Sequence, residues 1–294
     1  MNTKIKSYLQ KSLKALFQIS LILLASISLT IFLKVFCLAS FKVPSGSMEP
    51  TLINGDRIVV NKMILGPRIF KDWNFFKSGD WELKRIKGVR AIKRNEVLVF
   101  NLPSSNNDWS KIVMDFNNNI VKRCIGIPGD TFYIKKGICK VNGCPDTLGV
   151  YHNQLDLSTR NDLALDSAFK CFPYDTIHRW SLKNFGPIYI PKSNDTLNID
   201  SKNIELYRKL IVYETKKSVE IKQSKVWLAG KVINKYVFKQ NYYFMSGDNV
   251  FNSYDSRYWG LLPEDHIIGK VAFIWKSEDE NTGKFRWERF FKTL

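Results

Sequence analysis

Histidine is scarce. Only three occur in 294 residues, His152, His178 and His266, and a scheme that needs an imidazole must use one of them. His152 and His178 fall in a polar stretch and His266 in a Pro-Glu-Asp turn. None has the neighbours that mark a general base, which argues against a Ser-His-Asp triad. Cysteine is sparse and unpatterned, five residues with no metal-binding spacing. Cys139 and Cys144 flank Val141-Asn142-Gly143, a hairpin-turn signal. A small disulfide there suits an extracytoplasmic setting, but so short a loop strains the bond; paired and free thiols both remain open. Burial is the default for Cys37, Cys124 and Cys171. Acidic residues are also in deficit, 27 against 45 basic, for a net charge of +18. The lysines and arginines are spread along the whole chain without a groove-binding or stacking motif, so no nucleic-acid partner is expected. An anionic phospholipid surface accounts for the charge as well, each nearby basic residue being worth ~1 kcal/mol there.

Long apolar runs are missing too, with one exception. No charge interrupts the chain between Lys14 and Lys34, and Ala15–Leu33 is rich in Leu, Ile, Ala and Phe. As a helix this run is about 28 Å long, close to the ~30 Å hydrocarbon thickness of a bilayer. Leu38-Ala39-Ser40 loosely resembles a signal-peptide cleavage site, but a cleavable segment has an apolar region of only ~7–15 residues. The reading is a retained anchor over 15–37. Lys4, Lys6, Lys11 and Lys14 precede it, while only Lys34 and Lys42 follow closely, which places residues 1–14 in the cytoplasm and the rest outside.

What is present beyond the anchor is apolar enough to fold. Hydrophobic residues make up 45% of the chain and aromatics 14%, which excludes global disorder. Short apolar runs alternate with turn signals and predict a mostly β domain. Candidate strands are Arg57–Asn61, Glu96–Phe100, Ile120–Ile127, Thr131–Ile134, Tyr242–Met245 and Ile267–Trp275. Residues 66–92 read as a long loop rich in Lys, Arg and Trp. The stretch 142–240, rich in Asn, Asp, Ser and Lys, reads as a secondary domain inserted between core parts 38–141 and 241–294. Within it Asp200–Tyr213 has a helical pattern, and Gly186–Pro191 reads as an extended edge.

Three stretches concentrate chemistry. Pro44-Ser45-Gly46-Ser47-Met48-Glu49-Pro50-Thr51-Leu52 follows the apolar segment closely, and small residues around a serine let backbone N–H groups approach a substrate carbonyl. Val121-Lys122-Arg123-Cys124-Ile125-Gly126 sets a lysine in an otherwise apolar strand, where alternation turns Lys122 or Arg123 inward. Burial disfavours the ammonium, and lowering its pKa from ~10.4 to about 8 takes roughly 3 kcal/mol. A neutral amine beside Ser47 then takes the hydroxyl proton. The third stretch, Ser246-Gly247-Asp248-Asn249-Val250-Phe251-Asn252-Ser253-Tyr254-Asp255-Ser256-Arg257, is a rigid polar loop in which Asp255 and Arg257 are spaced to form an ion pair.

Taken in order behind a membrane span, these stretches resemble type I signal peptidase, the bacterial leader peptidase family of Ser/Lys-dyad proteases. The resemblance implies a β-rich catalytic core with a hydrophobic face near the membrane. It implies Ser47 as nucleophile, Lys122 as general base, Ser45 and the Ser47 N–H as oxyanion hole, Ser253 as the serine orienting the lysine, and Asp255–Arg257 as a structural ion pair. Phe41, Val43, Pro44 and Val121 match shallow pockets for small side chains before the cut. The implied substrates are signal peptides of exported preproteins with Ala-x-Ala-like sites. No metal or organic cofactor is required, and the implied location is the bacterial plasma membrane, crossed once. One departure stands out: Val250-Phe251 replaces the Arg-Asp or Arg-His frequent in the family, which bears on loop packing. Two other readings stay open, a self-cleaving Ser/Lys protease and an inactive membrane-anchored binding protein of the same fold.

Overall fold

The computed structural model describes residues 2–70, 83–160 and 171–294. The middle of the 66–92 excursion and residues 161–170 of the inserted stretch lie outside the described residues.

Helix α1 (Asn2–Phe32) carries the apolar run and continues in a π-helical turn, Leu33–Cys37. The span Gln10–Cys37 has a mean hydropathy of 2.3 and none of its most apolar window is buried against the protein. By length and composition this helix is able to cross a bilayer. Strand β1 (Leu38–Lys42) follows without a linker.

The strands of the catalytic part are β2 (Asp56–Asn61), β5 (Val97–Leu102), β6 (Asp115–Gly126), β15 (Tyr242–Ser246), β16 (Leu262–Pro263) and β17 (Ile267–Ser277). With β1 they form a seven-stranded antiparallel sheet in the order β1-β2-β17-β5-β6-β15-β16. Residues of β5 alternate between two cores. Val97 and Val99 pack with Val43, Met48, Leu52, Ile58 and Val60, whereas Leu98 and Phe100 pack with Cys124, Tyr243, Met245 and Trp259. Period-two alternation between two apolar layers explains why this strand reads as a continuous hydrophobic run.

A smaller sheet runs β8-β7-β9, from β7 (Thr131–Lys135), β8 (Ile138–Val141) and β9 (Phe185–Tyr189). The change of sheet therefore falls at Thr131, ahead of residue 142 where composition shifts, because β7 and β8 pair with each other and with β9 of the inserted stretch. Helix α2 (Tyr151–Thr159), helix α3 (Ile204–Thr215), the pair β10 (Thr196–Asn198) with β14 (Lys235–Val237), and the three-stranded sheet β11 (Val219–Lys222), β12 (Lys225–Leu228) and β13 (Lys231–Ile233) complete this half. Its core is continuous with the large sheet: Phe132 stacks on Phe244 with centroids 4.0 Å apart, and Phe185 meets Phe244 edge-on at 5.4 Å.

The expected strands are present, most with longer ends, although Glu96 and Ile127 fall just outside theirs; the Asp200–Tyr213 helix sits at Ile204–Thr215, and the Gly186–Pro191 edge overlaps β9, which ends at Tyr189 on the border of its sheet. The 66–92 excursion differs from a plain loop, because its described ends pair as β3 (Arg68–Phe70) and β4 (Leu83–Arg85). Arg68 and Arg85 explain why these ends are held. Arg85 donates to the carbonyls of Gly66, Glu264 and Ile267, and Arg68 to Asn101 Oδ1 and the Asp265 carbonyl. Cys139 and Cys144 are free thiols.

Candidate active site

Three elements from distant parts of the chain converge at one end of the large sheet. Strand β1 leads into a 3-10 turn, Gly46–Met48, that presents Ser47. Met48 and Leu52 anchor that turn in the core, at 1% and 0% exposure. Lys122 lies on β6 opposite Leu98 of β5, and the loop after β15 closes the third side.

The decisive contact is between Ser47 and Lys122. Lys122 Nζ lies 2.6 Å from Ser47 Oγ, and the lysine is 5% exposed. Burial lowers its pKa to about 8; the Asp255 carboxylate opposes the shift and Arg257 adds to it. Ser45 Oγ is 3.5 Å from Ser47 Oγ. The Ser47 N–H stands in the first turn of its short helix, where N–H groups lack intrahelical acceptors. Serine, amine and two potential donors to an oxyanion are thus within reach of one reacting carbonyl.

Behind the pair lies a buried ionic scaffold. Arg257 Nε and Nη2 donate to Asp255 Oδ1 and Oδ2 at 2.8 and 2.7 Å. Ser253 Oγ and the Gly247 N–H also donate to Asp255, at 2.7 and 2.9 Å. The Ser253 proton is therefore committed to Asp255, and among the described residues the hydrogen bond of Lys122 Nζ is the one to Ser47. Gly247 packs closely, since a Cβ there would stand 2.2 Å from Ser253 Oγ and 2.5 Å from the Ser47 carbonyl oxygen. Of the other expected residues, Phe41 and Val121 are partly buried against the cluster that contains Val43. Val43 is 3% exposed with both backbone groups bonded, so it backs the site from within the core, while Pro44 is exposed.

Sequence reasoning missed a second clamp. Arg123, next to the lysine, makes a two-pronged pair with Asp248 at 2.7 Å on both oxygens and also reaches Thr51 Oγ1 and the Asn95 carbonyl. Asn249 holds the serine turn through its N–H to the Ser47 carbonyl and its side chain to the Gly46 carbonyl. The opposite charges of Arg123 and Asp248 inside two singled-out motifs were the available signal. Asn153 of α2 gave none. Its Nδ2 donates to the carbonyls of Asp248 at 2.7 Å and Glu49 at 3.2 Å, tying the inserted half to both site loops. Asn153→Ala is expected to cost about 1–2 kcal/mol of stability and to lower kcat about tenfold by loosening the serine turn. The pH profile should keep its inflection, because Lys122 stays buried; steady-state kinetics with denaturation checks both.

Among the described residues the side-chain partners of Ser47 are Lys122 and Ser45, whereas His266 pairs with Asp265 and His178 with Asp175. Phe251, at the departure from the family pattern, lies under Arg160 with the guanidinium 4.2 Å from the ring centroid. The loop thus packs against the end of α2 through a cation–π contact.

The family described as signal peptidase, peptidase S26, matches residues 13–174 and 188–276. The chain belongs to this family. It is a peptidase, a hydrolase of the class that cleaves signal peptides. Curated relatives agree. A signal peptidase I of Buchnera aphidicola subsp. Baizongia pistaciae is 27% identical over 83% of this chain and 71% of its own length. One from Pseudomonas aeruginosa is 28% identical over 85% and 68%, and one from Aquifex aeolicus 26% over 90% and 84%. The serine, lysine and polar-loop segments all lie inside the matched ranges of this S26 peptidase.

Proposed function

We propose that this peptidase is a membrane-anchored Ser/Lys-dyad enzyme that cuts preproteins after Ala-x-Ala-like sites, with its active site on the outer side of a bacterial plasma membrane. The observation that carries the reading is the buried amine 2.6 Å from the serine hydroxyl.

Neutral Lys122 takes the Ser47 proton as Oγ attacks the scissile carbonyl carbon. The tetrahedral oxyanion accepts hydrogen bonds from Ser45 Oγ and the Ser47 N–H. As the C–N bond breaks, Lys122 gives its proton to the leaving amine, and the acyl group stays on Ser47. A water then gives a proton to Lys122 while its oxygen attacks the ester, and that proton returns to Ser47 as the acid departs. Ser253 and Asp255–Arg257 hold the lysine's surroundings. We assign Phe41, Pro44 and Val121, backed by Val43, to the side of the site that receives the small residues before the cut.

Anchoring is supported by α1, which joins the strand leading to Ser47 without a linker. Substrates with an apolar segment in the same bilayer gain effective concentration. Exposed aromatics support a lipid-facing surface. Trp275 bonds Ser40 of β1 through its indole N–H, while Trp287 and Phe291 are 69% and 72% exposed. Such rings favour the headgroup level, and the +18 charge favours anionic lipid.

The test incubates a preprotein with wild-type and Ser47→Ala protein in detergent and sequences the new N-terminus. Cleavage after a small-x-small site by the wild type is expected, with at least about a thousandfold less from the variant. Equal cleavage by both would remove Ser47 from the mechanism.

A further inference from the structure

The join between α1 and the catalytic sheet is hydrogen-bonded to a residue far along the chain. A helix leaves its last carbonyls without partners and its end partly negative. Here Leu38 N–H takes the Leu33 carbonyl. Lys62, distant in sequence, takes three more: Nζ donates to Lys34 O at 2.7 Å and Val35 O at 3.1 Å, and its N–H to Cys37 O at 2.8 Å. Lys62 directly follows β2, whose last residue, Asn61, pairs with Leu38. Among the described residues the Lys62 ammonium meets no carboxylate, and its placement half under the protein surface has no role in the chemistry described above.

We infer that Lys62 is a positioning residue that locks the membrane helix to the sheet and so fixes the position of Ser47 relative to the bilayer. The inference rests on the membrane-anchored reading of α1. Strand β1, five residues long, separates the helix end from the serine turn by about 17 Å. A change of ~20° in helix tilt about the Leu33–Cys37 turn would swing Ser47 by roughly 6 Å. A substrate held by its own apolar segment cannot follow that swing, and misplacements near 1 Å already cost up to about a hundredfold in rate. A water-soluble substrate follows the enzyme freely and is indifferent to it.

The test compares full-length wild type, Lys62→Met and Lys62→Arg on two substrates: a preprotein co-reconstituted in phosphatidylcholine–phosphatidylglycerol vesicles, and a soluble peptide spanning the same cleavage site in detergent. Lys62→Met should lose about tenfold or more on the vesicle substrate while staying within about twofold of wild type on the peptide; Lys62→Arg, which keeps the cationic donor, should recover most of the loss. Equal losses on both substrates, or none on either, overturn the inference. Carbonate washing separates the underlying reading: wild-type protein stripped from vesicles overturns the anchor and the inference together, whereas protein that stays embedded without the substrate-dependent loss overturns the inference alone.

Discussion

Lys122→Met should lower kcat/KM on a preprotein or soluble peptide by about a thousandfold or more, and should make the protein more stable at neutral pH. The first effect follows from removing the base that lies 2.6 Å from Ser47 Oγ. The second follows from linkage. An unfolded lysine titrates at ~10.4, while Lys122 is lowered to about 8 by burial. Between those values the unfolded chain holds the extra proton, so stability rises with pH across that window, and below it the wild type bears the full penalty of about 3 kcal/mol. Methionine fills the space without the charge. After allowing for the lost hydrogen bond, the variant should gain about 2 kcal/mol at pH 7, an advantage that shrinks as pH rises above 8. Denaturation of both proteins at several pH values, alongside cleavage assays, checks the pairing. A variant equally active, or less stable at pH 7, contradicts it.

Asp255→Ala should be the most destabilising single change at the site. Arg257 is 2% exposed and Asp255 fully buried. Truncating the acid leaves a guanidinium buried without its counter-charge, at a cost of about 3–5 kcal/mol. A domain's whole stability is ~5–15 kcal/mol, so a large share is at stake. Ser253 and the Gly247 N–H lose their acceptor at the same time, and activity should fall with stability. Replacing both partners, Asp255→Leu with Arg257→Met, should recover most of the stability and none of the activity, because the stranded charge is gone while the loop geometry is not restored. Burial pushes the Asp255 carboxyl up, but Arg257, the Gly247 N–H and Ser253 outweigh it and hold it below its ordinary value. Its contribution is therefore present above the unfolded carboxylate pKa near ~3.9 and lost as pH falls through the lower folded value. Urea titrations of the single and double variants decide the matter. A loss under about 1 kcal/mol for Asp255→Ala would mean that the pair is not the scaffold described.

Local pattern carried much of this architecture. Helix α1 was readable because a run of nineteen uncharged, mostly apolar residues is long enough to cross a bilayer as a helix. The long strands were readable because β5 and β15 feed two apolar layers at period two. Ser47 and Lys122 stood out as a serine among small residues and a charge in an apolar strand, both local anomalies. What stayed hidden depends on partners far along the chain. Strand β1 is short and half exposed, and it exists because β2 pairs with it. The β3–β4 pairing is held by arginines that reach carbonyls near residue 265. Asn153 and Lys62 are ordinary polar residues in the sequence, and only the folded chain shows which carbonyls they meet.

The pH dependence of kcat/KM on a soluble peptide, which reports the free enzyme's essential base, is the most direct test of a buried lysine that gives up its proton well below the ordinary lysine range next to Ser47. With burial lowering Lys122 to about 8, the logarithm of kcat/KM should climb with unit slope and level off near that pH. A profile that keeps climbing to the ordinary lysine value of ~10.4, or one that shows no basic inflection, would contradict the account.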